Sequence, residues 1–382
     1  MRIAQVAPLV ESVPPRLYGG TERIVSGLTE ELVRLGHDVW LFASGDSRTT
    51  ATLAAACPTA LRLARNCGDD VTPHVLMLEH VVQWAHTFDV IHFHTGIMHF
   101  PLVRRLRDVV HVTTLHGRLD FAALQRLFSE FTDMPLVSIS DAQRTPVRKA
   151  LWVGTIHHGL PPDLLRVHST SGTYLAFVGR IAPEKGVDRA ITIATACGLP
   201  LRIAAKIDPV DRAYFDRSIR HLLDHPLIEF VGEIGEEQKS EFLGQAKALL
   251  FPIDWPEPFG LVMIEALACG VPVIAFRRGS VPEVIEHGIT GFIVDTVEEA
   301  VEATRRLDAL DRAACRAAFE RRFTVTRMAA EYVQLYSRLL AAAQRLRASL
   351  PGGDTRKSTS LLVRQSESCR NVVDRGPPRA RR

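Results

Sequence analysis

Short apolar segments typical of β-strands alternate with amphipathic helical patterns along the chain, and this alternation starts a second time near residue 174. Before that point, the predicted strands are Ile3–Ala7, Val39–Ala43, Val90–Phe93, Val109–Leu115 and Leu136–Ile139. After it, they are Tyr174–Val178, Leu201–Ala205, Ile228–Val231, Ala248–Pro252, Val271–Ala275 and Phe292–Val294. Repeated strand–helix units imply parallel sheets with helices on both faces. The sequence therefore predicts an α/β protein with two doubly wound, Rossmann-like domains that face each other across a cleft.

The boundary between the two predicted domains falls in a stretch rich in Pro, Gly and Ser, residues 158–172, which is the best linker candidate. We therefore expect a first domain over residues 1–165 and a second domain over residues 166–324. A long helical pattern over residues 325–348 is expected to pack back across the first domain. Residues 349–382 are expected to form a basic tail without a packed core.

Net charge is unevenly distributed along the 382 residues. The whole chain carries a formal charge of +3, whereas residues 351–382 alone hold eight Lys and Arg against three Asp and Glu. The rest of the chain is therefore close to neutral, which gives a nucleic-acid role no support. A disordered, solvated tail is the simpler interpretation. Attachment of the tail to an anionic membrane surface is the alternative.

Neither a membrane span nor a secretion signal is predicted. The N-terminal segment is a short strand followed by Pro8, and no apolar run reaches the about 20 residues that a spanning helix needs. The six cysteines contain no C-x-x-C pair, which indicates reduced thiols rather than structural zinc. We expect a cytoplasmic protein, with peripheral contact to the inner face of the membrane as an open alternative.

The segment from Asp254 to Ala268 carries two carboxylates, Glu257 and Glu265, separated by a Pro-Phe-Gly turn. The strand signal before the turn and the helical spacing after it place Glu257 at the carboxyl end of a strand and Glu265 about one turn into a helix. Open α/β sheets bind ligands at that position. The pair could hold the diols of a ribose or a hexose, or act as the acid and base of a glycoside hydrolase.

Glycines and cations at two other strand-to-helix junctions point to a phosphate site. Gly19 and Gly20 lie between the first strand and the first helix, where free N–H groups favour an anion. A plain turn with a helix cap explains these glycines as well. Arg180 and Lys185 lie in V-G-R-I-A-P-E-K-G, at the end of the first strand of the second domain. They could converge on a diphosphate, with solvated loop charges as the alternative.

Histidines cluster in the first domain, and the cluster comprises His92, His94, His99, His111 and His116. We expect structural or substrate-facing histidines rather than a metal site. His116 ends a predicted strand in T-T-L-H-G and is expected to point into the cleft.

These motifs, taken together, resemble the retaining glycosyltransferases of family 4, which have the GT-B fold. The resemblance covers roughly residues 1–345. Its elements are Gly19-Gly20, G-H-D-V at 36–39, F-D-V-I-H-F-H at 88–94, T-T-L-H-G at 113–117, S-I-S at 138–140, V-G-R-I-A-P-E-K-G at 178–186 and E-P-F-G-L-V-M-I-E-A at 257–266. The last two motifs are the most specific. The chain departs from the family pattern at His157-His158-Gly159, where many members carry Asn before the Gly.

The resemblance implies a hexosyltransferase that uses a nucleotide sugar, with a UDP-sugar as the default donor, and that retains the anomeric configuration. Arg180 and Lys185 match the family residues that bind the diphosphate and replace a metal ion, so no cofactor is expected. Glu257 would contact hydroxyls of the donor sugar, and Glu265 those of the ribose. The implied catalytic residues are Arg180, Lys185, His116 and Glu257. The implied donor-binding residues are Gly19, Gly20, Gly179, Arg180, Lys185, Glu257, Phe259, Gly260, Leu261 and Glu265.

The acceptor is not indicated by the sequence, because it would be recognised by loops of the first domain, and loops vary freely. A small molecule, a lipid-linked molecule and a glycan all remain open as acceptors. Two alternatives share the architecture: a nucleotide-sugar epimerase and a degenerate protein that only binds a nucleotide sugar. A sugar phosphorylase would need a much longer chain and a cofactor lysine.

Overall fold

The computed structural model describes residues 1–16, 19–64, 69–106, 108–168 and 172–349. The basic tail from residue 350 onward, with the predictions made for it, lies outside the described residues, as do residues 169–171 of the candidate linker. Within these described ranges, no helix is both long and apolar enough to cross a membrane.

Seven parallel strands form the first sheet. They are β1 (Arg2–Val6), β2 (Asp38–Ser44), β3 (Thr52–Cys57), β4 (Val90–Phe93), β5 (Val110–Thr114), β6 (Leu136–Ser138) and β7 (Trp152–Thr155). Their order is β3-β2-β1-β4-β5-β6-β7, so the direction of strand addition reverses between β1 and β4. A crevice at the carboxyl ends of the strands is expected at such a reversal.

Six parallel strands form the second sheet. They are β8 (Tyr174–Arg180), β9 (Leu201–Lys206), β10 (Ile228–Gly232), β11 (Ala246–Phe251), β12 (Val273–Phe276) and β13 (Gly291–Val294). Their order is β10-β9-β8-β11-β12-β13, and the reversal lies between β8 and β11. The predicted α/β class, with two parallel doubly wound sheets, is confirmed.

Helices connect the strands of both sheets. They are α1 (Gly20–Arg34), α2 (Val71–Trp84), α3 (Phe100–Val103), α4 (Ala122–Glu130), α5 (Asp141–Arg144), α6 (Val187–Cys197), α7 (Arg212–Tyr214), α8 (Glu236–Gly244), α9 (Leu261–Ala268), α10 (Val281–Val284), α11 (Val297–Arg305), α12 (Arg312–Arg322) and α13 (Val325–Ser349). Short 3-10 turns supplement them, including Pro183–Lys185 near the site described below.

Helix α1 shows how the sequence pattern produces the core. Ile24, Leu28 and Leu32 recur at intervals of four, which places them on one face of a helix. All three are buried in the same cluster as Ile3 of β1 and Val39 of β2. Burial of a side chain of this size contributes about 1.5–3 kcal/mol. Packing against the first sheet therefore stabilises α1 and fixes the position of its N-terminus.

Every strand predicted from the sequence is present, with ends that shift by at most two residues. Strand β12 begins at Val273 rather than Val271, because the Val271 N–H is donated to the Ala266 carbonyl at the end of α9 (2.8 Å). The sequence analysis does not predict β3 and β7, which are the two edges of the first sheet. All side chains of β3 are half-buried or exposed, so it lacks the apolar signal of the central strands.

Helix α13 packs on the first sheet although it follows the second sheet in the chain. The Tyr332 hydroxyl lies 2.8 Å from Thr114 Oγ1 of β5. The Tyr336 hydroxyl lies 2.7 Å from His92 Nδ1 of β4, and both tyrosines are buried. The same helix also packs beside α1. The end of the described chain is thus joined to its beginning.

Candidate active site

A cavity of about 420 Å³ lies between the carboxyl ends of the two sheets. The first sheet contributes the segments that follow β1, β3, β5, β6 and β7, and the second contributes those that follow β8 to β11. All the residues predicted for the site line this one cavity: Gly19, Gly20, His116, Gly179, Arg180, Lys185, Glu257, Phe259, Gly260, Leu261 and Glu265. The structure therefore brings together residues that are far apart in the sequence.

The two glycines at the start of α1 lie at a crowded junction. A Cβ on Gly19 would lie 2.6 Å from the Pro15 Cβ, which is too close. A Cβ on Gly20 would lie 3.2 Å from Leu261 Cδ1, so the N-terminus of α1 approaches the N-terminus of α9 across the cleft. Gly179 differs, because a Cβ there would meet only ordinary contacts with Phe177.

Gly260 forms the N-cap of α9 with a φ of 78°, in the left-handed region that favours glycine. A Cβ at this position would also lie 2.8 Å from Met263 Cε and 3.0 Å from Phe251 Cζ. The preceding Phe259 is buried, and its carbonyl accepts a hydrogen bond from Ser280 Oγ (2.8 Å). The turn between β11 and α9 is therefore held rigidly, with the free N–H groups of α9 at the cavity.

Arg180, the last residue of β8, is held by two carboxylates. Its guanidinium donates to Glu184 Oε1 at 2.7 Å and lies 2.9 Å from Asp211 Oδ2. About a quarter of the Arg180 side chain remains exposed (27%) at the cavity wall. The two acids orient the guanidinium while leaving part of it accessible to a ligand.

Lys185 binds Glu257 directly. The Lys185 ammonium donates to Glu257 Oε2 at 2.6 Å, and the Trp255 indole N–H donates to the same oxygen at 2.8 Å. The ammonium also lies 4.3 Å from the centre of the Trp255 ring. The family resemblance implies contacts of Lys185 and Glu257 with different parts of a donor, whereas the structure shows the two residues as an ion pair.

Glu265 is a buried carboxylate that two cations hold in its ionised form. Lys239 Nζ lies 2.8 Å and Arg23 Nη1 lies 3.0 Å from Glu265 Oε1. Burial raises the pKa of Glu265, but the charges and hydrogen bonds of Lys239 and Arg23 together lower it below its ordinary value. Glu265 is therefore a fixed hydrogen-bond acceptor.

The partners of Glu265 are site residues that the sequence analysis missed. Arg23 belongs to α1 of the first half and also pairs with Glu236 of α8 at 2.5 Å. Lys239 lies one turn further along α8 and is buried. The only available signal for Arg23 was its position three residues after the Gly19-Gly20 pair, near a helix N-terminus. Arg23 therefore links the two halves of the chain at the base of the cavity.

Of the histidines predicted to cluster, only His116 lines the cavity among the described residues. Its Nε2 lies 2.9 Å from His94 Nδ1, and its ring stacks on that of His158 at 5.2 Å between centres. Burial lowers the pKa of His116 to about 3, so the imidazole is neutral. Within the part of the chain that the structure describes, no group of three or more His, Cys, Asp or Glu is arranged to hold a metal ion.

A second link between the halves runs through Glu283 of α10. Its carboxylate accepts from the backbone N–H groups of Asp141 and Ala142 in α5, both at 2.8 Å. It also lies 3.1 Å from His157 Nε2, in the segment between the two sheets. Burial raises the pKa of Glu283, but these hydrogen bonds lower it below its usual range. The sequence analysis did not single out this residue for a role between the halves.

Two family models match the chain and together cover more than half of it. The model described as "Glycosyl transferases group 1" matches residues 167–316, and that of "Glycosyltransferase Family 4" matches residues 18–142. The chain belongs to the group 1 glycosyltransferases. The predicted resemblance is confirmed, and the two models cover β2–β6 of the first sheet and all six strands of the second.

Relatives of this glycosyltransferase share only moderate sequence identity with it. An uncharacterised 41.2 kDa protein in the cps region of Klebsiella pneumoniae is 28% identical over 42% of this chain and 45% of that protein, so the match spans about half of the relative. A glycogen synthase of Mycobacterium tuberculosis is 26% identical over 73% of this chain and 79% of that enzyme.

Solved structures confirm the fold of this glycosyltransferase. Anabaena Alr3699/HepE, in complex with UDP and glucose, has a TM-score of 0.70 at 19% identity. The match covers 88% of this chain and all of that one. At this identity the likeness establishes the architecture alone, which is the predicted GT-B fold.

Proposed function

We propose that this glycosyltransferase moves a hexosyl group from a nucleotide sugar to an acceptor, with UDP-glucose as the default donor. The observation that carries the proposal is the presence of two cations, Arg180 and Lys185, and two carboxylates, Glu257 and Glu265, around one cavity. The N-termini of α1 and α9 border the same space. Cations and free helix N–H groups together favour a diphosphate.

In the proposed complex, the donor diphosphate lies against Arg180 and Lys185. The Lys185–Glu257 pair holds the ammonium in place before the donor arrives. When the phosphate oxygens approach this ammonium, Glu257 Oε1 and Oε2 become available to accept hydrogen bonds from sugar hydroxyls. The ion pair therefore serves as a preorganised junction between the phosphate and sugar ends of the donor.

The ribose of the donor is assigned to Glu265. A ribose diol needs a hydrogen-bond acceptor, and Glu265 remains ionised because Lys239 and Arg23 lower its pKa. Since those cations bind Oε1, the second oxygen, Oε2, is the one available to the diol. Glu265 in this proposal orients the nucleoside and takes no proton during the reaction.

The chemistry in this proposal rests on electrostatic stabilisation of the leaving group. Glycosyl transfer passes through an oxocarbenium-like state while negative charge develops on the departing nucleoside diphosphate. Arg180 and Lys185, already oriented by their carboxylate partners, stabilise that charge without reorganising. The acceptor attacks the same face of the sugar, and the leaving phosphate assists its deprotonation, which retains the anomeric configuration. The two cations take the place of a divalent metal.

A glycoside hydrolase built on Glu257 and Glu265 is not favoured. Such an enzyme needs one carboxyl group with a raised pKa to act as the general acid. Glu265 has a lowered pKa, and Glu257 accepts a hydrogen bond from the Lys185 ammonium in an ion pair. A hydrolase would also leave Arg180 without a role.

In the proposal, the donor lies mainly against residues 166–324, and the acceptor enters along residues 1–165. Residues 325–348 join the two regions by packing back on the first sheet. The acceptor class remains open among small molecules, lipid-linked molecules and glycans.

The proposal is tested by a donor screen in which release of nucleoside diphosphate is measured for the purified protein. UDP-glucose and other nucleotide sugars are compared in EDTA and in Mg²⁺. Release from at least one donor in EDTA is the expected result. Activity that appears only with Mg²⁺ would overturn the metal-free mechanism, and no release from any donor, with or without acceptors, would overturn the proposed reaction.

A further inference from the structure

A chain of buried polar side chains runs from the centre of the first sheet to the cavity. Gln5 lies in β1, His94 directly follows β4, and His116 follows β5 at the cavity wall. His94 Nε2 lies 2.9 Å from Gln5 Oε1, and His94 Nδ1 lies 2.9 Å from His116 Nε2. Gln5 and His94 are both buried, and neither lines the cavity.

The hydrogen bonds of Gln5 set the direction of this chain. The Gln5 side-chain N–H donates to the Tyr336 hydroxyl at 3.3 Å, which turns the amide oxygen toward His94. An amide oxygen can only accept, so the proton of His94 lies on Nε2. A neutral imidazole carries one N–H, so His94 Nδ1 must accept from His116 Nε2. His116 therefore carries its proton on Nε2, and its Nδ1 has a free lone pair.

Both imidazoles are neutral, so each ring carries a single N–H. Burial lowers the pKa of His94 well below its usual range and that of His116 to about 3. The other titratable groups that act on the pKa of His94 are His92, His158 and His99, and each of them lowers it further. No carboxylate is among these groups, so no acidic neighbour among the described residues is seen to offset the effect of burial on these two rings.

The His116 end of this series of hydrogen-bonded side chains lacks a partner. His116 Nδ1 is buried and, among the described residues, no group donates to it. The ring of His158 stacks on His116 with an angle of 18° between planes. A buried acceptor without a partner is unfavourable, and a ligand that supplies the missing donor removes that cost.

We propose that Gln5 and His94 are positioning residues that hold His116 as the Nε2–H tautomer, so that its Nδ1 accepts a hydrogen bond from a hydroxyl of the transferred sugar. The assignment of the ligand rests on the proposed function, whereas the tautomer rests on the hydrogen bonds alone. A sugar hydroxyl can donate to this lone pair, whereas a second acceptor cannot.

The tautomer is measured by NMR of the full chain labelled with ¹⁵N-histidine at neutral pH. His116 and His94 are assigned from the signals lost in His116→Asn and His94→Asn. We expect a pyridine-type signal for Nδ1 and a pyrrole-type signal for Nε2 in both rings of the unliganded protein. The reverse pattern at His116 would overturn the proposal, because Nδ1 would then carry the proton and could not accept a hydrogen bond from a sugar hydroxyl.

The positioning role is measured with a substitution of Gln5. Gln5→Leu removes the acceptor, so mixed His94 and His116 tautomers and a roughly tenfold lower kcat, with little change in KM, are expected. Gln83→Leu, at an exposed glutamine outside the cavity, is the matched control and should change neither.

The sugar assignment has its own outcome. UDP and UDP-glucose are each added to the ¹⁵N-labelled protein. A shift of the His116 Nδ1 signal with UDP-glucose but not with UDP supports the proposal, and the same signal with both ligands overturns it. If the tautomers are as expected but no nucleotide sugar is consumed, the proposed function fails while the Gln5–His94–His116 geometry stands.

Discussion

Lys185 Nζ lies 2.6 Å from Glu257 Oε2, although the two residues are 72 positions apart in the chain. The Trp255 indole donates to the same carboxylate oxygen and packs its ring against the ammonium. The contact joins the loop after β8 to the loop after β11, the two strands between which the second sheet reverses direction. A cation and an acid that the family pattern treats separately thus form one unit before any donor binds.

The first prediction concerns this unit. Lys185→Ala should lower the rate of nucleoside diphosphate release by about 100-fold or more, because one of two charges that stabilise the leaving group is lost. Lys149→Ala, at an exposed lysine outside the cavity, is the matched control and should retain full activity. Steady-state kinetics with the best donor provide the measurement, and an unchanged kcat in Lys185→Ala would remove the residue from the mechanism.

A second prediction concerns the stability of the Glu265 cluster. Glu265→Ala leaves the buried charges of Arg23 and Lys239 without their shared carboxylate, which should lower the free energy of unfolding by about 3–5 kcal/mol. Glu302→Ala breaks an exposed ion pair with Arg305 and should change the free energy of unfolding by no more than about 1 kcal/mol. Urea unfolding measures both. Equal effects of the two substitutions would mean that the cluster contributes no more than a surface pair.

Two glycines with similar backbone angles provide a third prediction. Gly260 and Gly36 have φ values of 78° and 83°, but a Cβ on Gly36 would meet nothing within 4 Å. Gly36→Ala should therefore lower the free energy of unfolding only by the cost of placing a residue with a Cβ in the left-handed region, about 1–2 kcal/mol. Gly260→Ala should lower it further and reduce donor turnover, because the new Cβ would press on Met263 and Phe251. Thermal unfolding of the two variants would show equal losses if the β11–α9 turn could relax freely.

The neutral buried histidines provide a fourth prediction. The pKa of His116 falls from an ordinary value of 6.5 to about 3 on folding, and burial also lowers those of His92 and His99 well below that value. Below pH 6.5 the unfolded chain therefore binds protons that the folded chain does not, so the free energy of unfolding decreases as pH falls. Each such histidine contributes a slope of up to about 1.4 kcal/mol per pH unit.

Urea unfolding between pH 7.5 and 5.0 measures this slope. His99→Gln should make the slope shallower by the contribution of one group, provided that the variant folds at pH 7.5. His86→Gln, at an exposed position, should leave it unchanged. A stability that stays constant across this range would contradict the prediction.

The sequence predicts most of the fold because the central strands are buried on both faces and therefore form continuous apolar runs. It also places Glu257 and Glu265 correctly at a strand-to-helix junction, since local spacing determines that position. It does not predict β3, whose half-exposed side chains carry no clear signal. Arg23 and Lys239 escape prediction for a different reason. Their contacts with Glu265 arise from packing between distant segments, which no local pattern encodes.

The return of helix α13 to the first sheet has a consequence for synthesis. Tyr332 and Tyr336 complete the hydrogen bonds of Thr114 and His92, which lie more than two hundred positions earlier in the chain. Domains generally become compact in the order in which they leave the ribosome. Here Thr114 and His92 of the first sheet lack these tyrosine hydroxyls as hydrogen-bond partners until the last described helix has been translated. The beginning of this protein is thus the part that is finished last.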